Sequence, residues 1–277
     1  MPNSSSTAPL ARAEKIGFVG DLHGDMEHVL IAARTLHDLG VKVIIVTGDF
    51  GFIWPRINYR RSLDKLSSRL NALDITLYFV DGNHEWFPEL LSYAQDQDGL
   101  RSIRDNVIHL PRGYRIELTS GAMFAALGGA NSIDRDLRKE GLDWWPEESI
   151  TETDLALLGS ELVDVLVGHD APLGLRILDQ FLDSTKSSWA PDMVRYSHEG
   201  RAQFHKGFAA VRPRIYIGGH YHYFVNERIS IDGASGPLSR VLLLDTNGPK
   251  STSLAVLTVA TLELVAFDRL GQGQSST

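Results

Sequence analysis

Cysteine is absent from all 277 residues of this chain. That excludes disulfides and any thiolate-bound zinc, and it is compatible with a reducing compartment. No apolar stretch reaches the ~20 residues that a membrane-spanning helix requires. The segment Met1 to Ala8 lacks the basic and apolar blocks of a signal peptide, so a cytoplasmic location is the expectation. Positive charge is also in short supply. Lys and Arg total 27 against 35 Asp and Glu, a formal charge of −8, which excludes a broad basic face for duplex nucleic acid. No internal repeat is present.

Against these absences stands one recurring pattern, a short apolar β-like run that ends in glycine and then a polar side chain of metal-binding type. Gly20-Asp21-Leu22-His23-Gly24 follows Lys15 to Val19, and Gly48-Asp49-Phe50-Gly51 follows Val41 to Thr47. Gly82-Asn83-His84-Glu85 follows Ile75 to Val80, Gly168-His169-Asp170 follows Val163 to Val167, and Gly218-Gly219-His220-Tyr221-His222 follows a fifth apolar stretch. Runs rich in β-branched residues and bounded by glycine predict buried strands. Helix-like segments between them predict βαβ units with the sheet covered on both faces. In such open α/β sheets ligands bind at the carboxyl edge of the strands, where these five stations would meet.

The groups collected there are Asp, His, Asp, Asn, His, His and His. Imidazole mixed with carboxylate and amide oxygen suits divalent Mn, Fe, Zn, Co or Ni. Seven donors exceed what one open catalytic ion needs, whereas two ions sharing a carboxylate use them all.

The ordered series Asp-x-His, Gly-Asp, Gly-Asn-His-Glu, His and Gly-His-x-His resembles the calcineurin-like metallophosphoesterase superfamily, over most of the chain from Asp21 to His222. The resemblance implies an α/β fold, a two-sheet sandwich flanked by helices (αββα). It implies two divalent transition-metal ions, Mn, Fe or Zn, with Asp21, His23 and His222 on the first, Asn83, His169 and His220 on the second, and Asp49 bridging. His84 would stand beside the substrate as the catalytic residue, and a metal-bridging hydroxide would attack a phosphate ester. The expected layout is a mobile tail over 1–13, one metallophosphoesterase domain over 14–268 and a second mobile tail over 269–277. Oligomeric state is left open.

Departures from the best-known branch narrow the expectation. In the serine/threonine protein phosphatases the second motif continues as Asp-Arg-Gly, but here Asp49 precedes Phe50-Gly51-Phe52-Ile53-Trp54. The acidic partner of the catalytic histidine and a phosphate-binding arginine are therefore missing from that place. Phe50, Phe52, Trp54, Tyr221 and Tyr223 could instead line an aromatic mouth for a nucleobase. A nucleotide is thus among the candidate phosphoester substrates, and a nuclease or cyclic-nucleotide phosphodiesterase is the alternative within enzymes. A non-catalytic metal-binding scaffold is the alternative outside them.

Other residues carry weaker signals. The loop from Gly128 to Arg138, followed by Trp144-Trp145-Pro146-Glu147-Glu148, resembles one found in a bacterial and phage subgroup. It has two readings: a cover in which Arg135 or Arg138 meets phosphate and the tryptophans close over the substrate, or a packed surface loop. Arg56, Arg60, Arg61 and Arg69 read as a solvated helix face, with a substrate role as the alternative. His28, His37 and His109 read as packed or solvated residues, and His198 and His205 as surface ones. Thr151 with Asp154 forms a capping signature ahead of Leu155 to Leu158.

Overall fold

Residues 8–231, 236–248 and 250–268 are described by a computed structural model. The chain-order strands are β1 (Lys15–Val19), β2 (Val43–Val46), β3 (Thr76–Phe79), β4 (Arg101–Arg104), β5 (Val107–His109), β6 (Arg115–Glu117) and β7 (Met123–Leu127). They continue as β8 (Val165–Gly168), β9 (Ile215–Gly218), β10 (Val225–Ser230), β11 (Leu238–Leu243), β12 (Leu254–Thr258) and β13 (Glu263–Phe267). The α-helices are α1 (Met26–Asp38), α2 (Tyr59–Asn71), α3 (Phe87–Ser92), α4 (Glu152–Leu158), α5 (Arg176–Thr185) and α6 (Pro191–Val211).

Two mixed sheets form. One runs β13-β12-β1-β2-β3-β5-β4 and the other β10-β11-β9-β8-β7-β6. In each the centre is parallel and the outer strands are antiparallel. The layering follows from the period-2 alternation of side chains along a strand. Val43 and Ile45 of β2 face the core between the sheets, while Ile44 and Val46 join a second core beneath α1 and α2. On the other sheet Val165 and Val167 face inward and Leu166 packs outward with Phe204 and Phe208 of α6. These strands are apolar throughout because both of their faces are covered, as the all-apolar sequence runs imply.

This is the expected αββα sandwich. Helix α1 begins at Asp25, whose carboxylate accepts the His28 N–H, and Thr151 with Asp154 forms the anticipated capping box ahead of α4. Among the described residues no helix is long and apolar enough to cross a membrane.

The N-terminal boundary differs from expectation. Pro9 to Arg12 form a 3-10 turn, and the fully buried Leu10 packs in the inter-sheet core with Ile16 and Phe18. The packed unit therefore includes part of the supposed tail 1–13, because Leu10, Ala11 and Ala13 contribute apolar area to the inter-sheet core. Residues 1–7 and the supposed C-terminal tail 269–277 lie outside the described residues.

Candidate metal centre

All five stations meet at one end of the sandwich. The turns after β1, β2 and β3 bring Asp21, His23, Asp49, Asn83 and His84 from one sheet, and those after β8 and β9 bring His169, His220 and His222 from the other. Asp21, Asp49 and His169 are buried; His23 and His222 reach toward the surface. One donor atom from each of Asp21, His23, Asp49 and His222 lies within 4.8 Å of the others.

Asp49 sits between two imidazoles. Its Oδ2 is 3.7 Å from His23 Nε2 and its Oδ1 is 3.3 Å from His169 Nε2. On one side His23 Nε2 is 3.0 Å from His222 Nε2, which is 3.2 Å from Asp21 Oδ2. On the other, His169 Nε2 is 3.1 Å from Asn83 Oδ1, and the rings of His169 and His220 lie 4.9 Å apart. The structure thus brings all seven expected donors into one cluster.

Backbone geometry makes that density attainable. A Cβ on Gly82 would lie 2.2 Å from Asp49 Oδ1, and one on Gly219 would lie 2.1 Å from Asp21 Oδ1. Only glycine lets these turns pass so close to the carboxylates. Eight described non-glycine residues have positive φ, and four of them are His23 (46°), Asp49 (46°), His220 (71°) and His222 (48°). Such left-handed residues persist where surrounding contacts over-determine them, and they concentrate at functional sites.

The electrostatics call for a cation. Burial alone would depress the His169 imidazole, but the Asp49 and Asp21 carboxylates together raise it to about 10. Without a metal, a proton therefore sits where two buried carboxylates converge. His169 Nδ1 faces the Thr47 carbonyl at 2.8 Å, which directs Nε2 at the cluster, the orientation found for imidazoles that hold metals. The all-nitrogen and oxygen donor set fits divalent transition metals.

Partners behind the cluster fix its members. The His220 N–H donates to Asp21 at 3.0 Å and the His84 N–H donates to Asp49 Oδ1 at 2.8 Å. Asn83 Nδ2 donates to Ser132 Oγ at 3.0 Å, and Ser132 Oγ donates to the buried Glu148 at 2.5 Å. Tyr196 also donates to Glu148, at 2.9 Å. Burial pushes the Glu148 carboxyl up, against the pull of these donors. Ser132 and Glu148 are functional candidates that sequence reasoning missed, since nothing local ties either to Asn83. Glu85, buried behind Asp49, accepts the Phe50 N–H at 2.7 Å; burial and then the Asp49 charge push its carboxyl far up.

The cleft over the cluster encloses about 370 Å³, with His84 and Arg138 on one wall and Phe181 and Trp189 on another. Arg138 Nη2 lies 2.6 Å from His84 Nε2 and donates to Asp134 at 2.8 Å. Arg135 does not reach the cleft. It pairs with Asp136, and its guanidinium lies 4.0 Å over the Tyr196 ring. Arg135 opens a 3-10 turn that ends at Leu137, and Arg138 follows it in extended backbone, so the two side chains leave in different directions and Arg135 finds an aromatic face.

The aromatic mouth is smaller than expected. Phe50 and Phe52 are core residues, with Phe50 stacked on Phe79 at 4.3 Å. Trp54 stands beside His84, 6.0 Å between ring centres, and the buried Trp145 supports Trp54 from behind at 5.7 Å. Tyr221 lines the cleft while its hydroxyl donates to Asp170, and Tyr223 stacks on Phe181 at 4.4 Å. The loop combines both readings: Arg138 serves the cleft, whereas Trp145 is packing. Arg56, Arg60, Arg61 and Arg69 do not line it; Arg60 pairs with Glu89 at 3.1 Å. His109 is buried against Asp81.

Comparison with known proteins agrees with this geometry. The family model described as calcineurin-like phosphoesterase matches residues 14–224. No curated protein matches the chain. Among solved structures, the protein TT1561 of Thermus thermophilus superposes with a TM-score of 0.56 at 12% identity, covering 93% of this chain and 99% of that one. A dimetal phosphatase from Danio rerio superposes with a TM-score of 0.53 at 16% identity, covering 94% and 97%. At these identities the likeness is one of fold.

Proposed function

Because the chain belongs to the calcineurin-like phosphoesterases, we propose that it hydrolyses a phosphate ester using two divalent transition-metal ions gathered around Asp49. Asp21, His23 and His222 would hold one ion and Asn83, His169 and His220 the other, with Asp49 placed between the two groups. The observation that carries this reading is the position of Asp49, a buried carboxylate with a different imidazole facing each oxygen. When bound, the ions polarise phosphoryl oxygens and lower the pKa of water toward neutrality.

The chain's own groups orient the ester and manage its charge. Among the described residues that line the cleft, Arg138 is the guanidinium, a group suited to a phosphoryl oxygen. Burial lowers the His84 pKa, and Arg138 and His23 add to that against the pull of Asp49, so the imidazole is neutral. With Arg138 donating to Nε2, the ring proton lies on Nδ1. A phosphoryl group that draws Arg138 to itself frees the unprotonated Nε2 beside the ester, where it can accept a proton from water and pass it to the leaving oxygen.

A cyclic-nucleotide phosphodiesterase or nuclease would use the same centre. The scaffold reading has less support, since every donor group and His84 are in place. The deciding experiment is a metal-reconstituted screen over mono-, di- and cyclic phosphoesters. Hydrolysis that is lost on chelation and restored by Mn is expected; a fully loaded protein inert on all three classes would refute the proposal.

A further inference from the structure

The metal cleft is not the end of the cavity. A second chamber of about 380 Å³ lies beside it, built mainly by the segment between β8 and β9 that contains α5 and α6, with Ile133 and Tyr221 added from outside that segment. Six residues line both spaces: Ile133, Leu182, Thr185, Trp189, Ser197 and Tyr221. A group esterified to a phosphoryl at the metal centre therefore has this chamber as a neighbour.

The lining limits what the chamber can hold. Leu173, Leu182, Val194 and Ile133 form an apolar, half-buried wall, with Trp189 and Tyr221 as its aromatic elements. Its charges are already matched. Lys186 pairs with Asp183 at 2.8 Å, and Arg201 pairs with Asp179 at 2.7 Å. A second phosphate or a cationic amine would find no unmatched counter-charge there, and would lose hydration against the leucines. The hydroxyls of Thr185 and Ser197 and the imidazole of His198 can pair with polar edges, which a purely aliphatic group would leave unsatisfied. The volume is at the small end of the ~300–1,000 Å³ range of ligand pockets, right for one mononucleoside-sized group and too small for a peptide.

We propose that the α5–α6 chamber receives the uncharged, flat heteroaromatic part of the ester, a nucleobase, with Trp189 as the stacking surface. The enzyme is then selective for nucleotide-type phosphoesters. This assignment rests on the phosphoesterase reading of the adjoining centre. It moves the base away from Phe50, Phe52 and Trp54 to a wall centred on Trp189, while Tyr221, which the sequence also pointed to, lines both spaces.

Val194 lines the chamber but not the metal cleft, so Val194→Trp fills the first without entering the second. The Mn-loaded protein is assayed on a nucleoside phosphoester and on a glycerol phosphoester of the same ester type, beside thermal melts. Val194→Trp and Trp189→Ala should lower kcat/KM on the nucleoside ester ~10–100-fold, mainly through KM, the scale of one lost base–aromatic contact. Val194→Trp should leave the glycerol ester within about threefold, inside the noise of a distant substitution. Equal losses on both esters, or no loss on either, would overturn the chamber. Calorimetric titration with uncharged adenosine separates the two readings: wild type should bind it and Val194→Trp should not. If neither ester is turned over yet adenosine binding follows this pattern, the phosphoesterase reading fails and the chamber stands; wild type that binds no adenosine sinks the chamber alone.

Discussion

Arg138 points its guanidinium at Nε2 of His84, 2.6 Å away, so under the proposed function a phosphate would have to draw that cation off the imidazole. Replacing Arg138 with Ala should lower kcat/KM about 10–100-fold for every phosphoester, the scale of one charge-assisted contact. The His84 pKa should rise, since a neighbouring positive charge is gone while burial remains. Steady-state kinetics and histidine NMR of the metal-free protein test both parts; an unchanged His84 titration would contradict the pairing.

His84→Ala should separate chemistry from metal binding. Turnover should fall about 10²–10⁴-fold, the range for a positioned acid or base. Metal content, measured by elemental analysis, should hold at the wild-type value. Loss of an ion together with activity would instead place His84 among the ligands.

Asp49→Ala should do more damage than His23→Ala or His169→Ala, because both halves of the cluster lean on that carboxylate. Activity should drop to background and the affinity for both ions should fall. A variant that retained two tightly held ions would show that Asp49 does not bridge.

Ser132→Ala and Glu148→Ala should reach the cluster through Asn83. With its amide no longer held by the Ser132 hydroxyl, Asn83 loses its fixed orientation, and the ion on that side should bind about 10–100-fold more weakly, the usual effect of removing a ligand's supporting partner. Glu148→Gln, which can still accept from Ser132, should recover part of the affinity. Competitive chelator titration reads this directly. Identical loss of both ions would mean general unfolding of the loop.

Asp81 and Arg112 predict a pH dependence of stability. Although burial opposes it, Arg112 and then His109 hold the Asp81 carboxyl well below its ordinary range. A depressed folded value means that the contribution is complete above the unfolded pKa of about 3.9 and is lost as pH falls through the lower folded value. Arg112 also donates to the Ser149, Glu147 and Glu148 carbonyls, so it ties down the segment that carries Glu148. Arg112→Ala should cost about 3–5 kcal/mol at neutral pH, the penalty for orphaning a buried charge, and less in strong acid, where Asp81 is neutral. Urea unfolding at pH 7 and pH 3 should show the gap narrowing.

The five stations were readable because each is local. A strand, a glycine and a ligand occupy adjacent positions, and Asp21, Asp49, Asn83, His169 and the pair His220 and His222 all fall at the strand ends they were assigned. What escaped was nonlocal. Arg135 and Arg138 look alike in sequence, and only the Tyr196 ring, brought in by α6, separates them. Phe50 and Trp54 look equally suited to a mouth, yet Phe79 of β3 draws Phe50 into the core. Leu10 falls in the expected tail 1–13, and burial between two sheets leaves no trace in so short a stretch as Ala8 to Ala13.

The left-handed backbone at His23, Asp49, His220 and His222 restricts how this centre can diversify. Among residues other than glycine, that conformation is best tolerated by Asn, Asp and His, whereas β-branched side chains are true outliers there. If these four residues are ligands as proposed, exchange at them is channelled among imidazole, carboxylate and amide donors on short side chains. Metal preference can drift between harder and softer divalent ions by single substitutions within that set. A change to threonine would strain the turn as well as the coordination, so the backbone acts as a filter on which metal chemistries are reachable one mutation at a time.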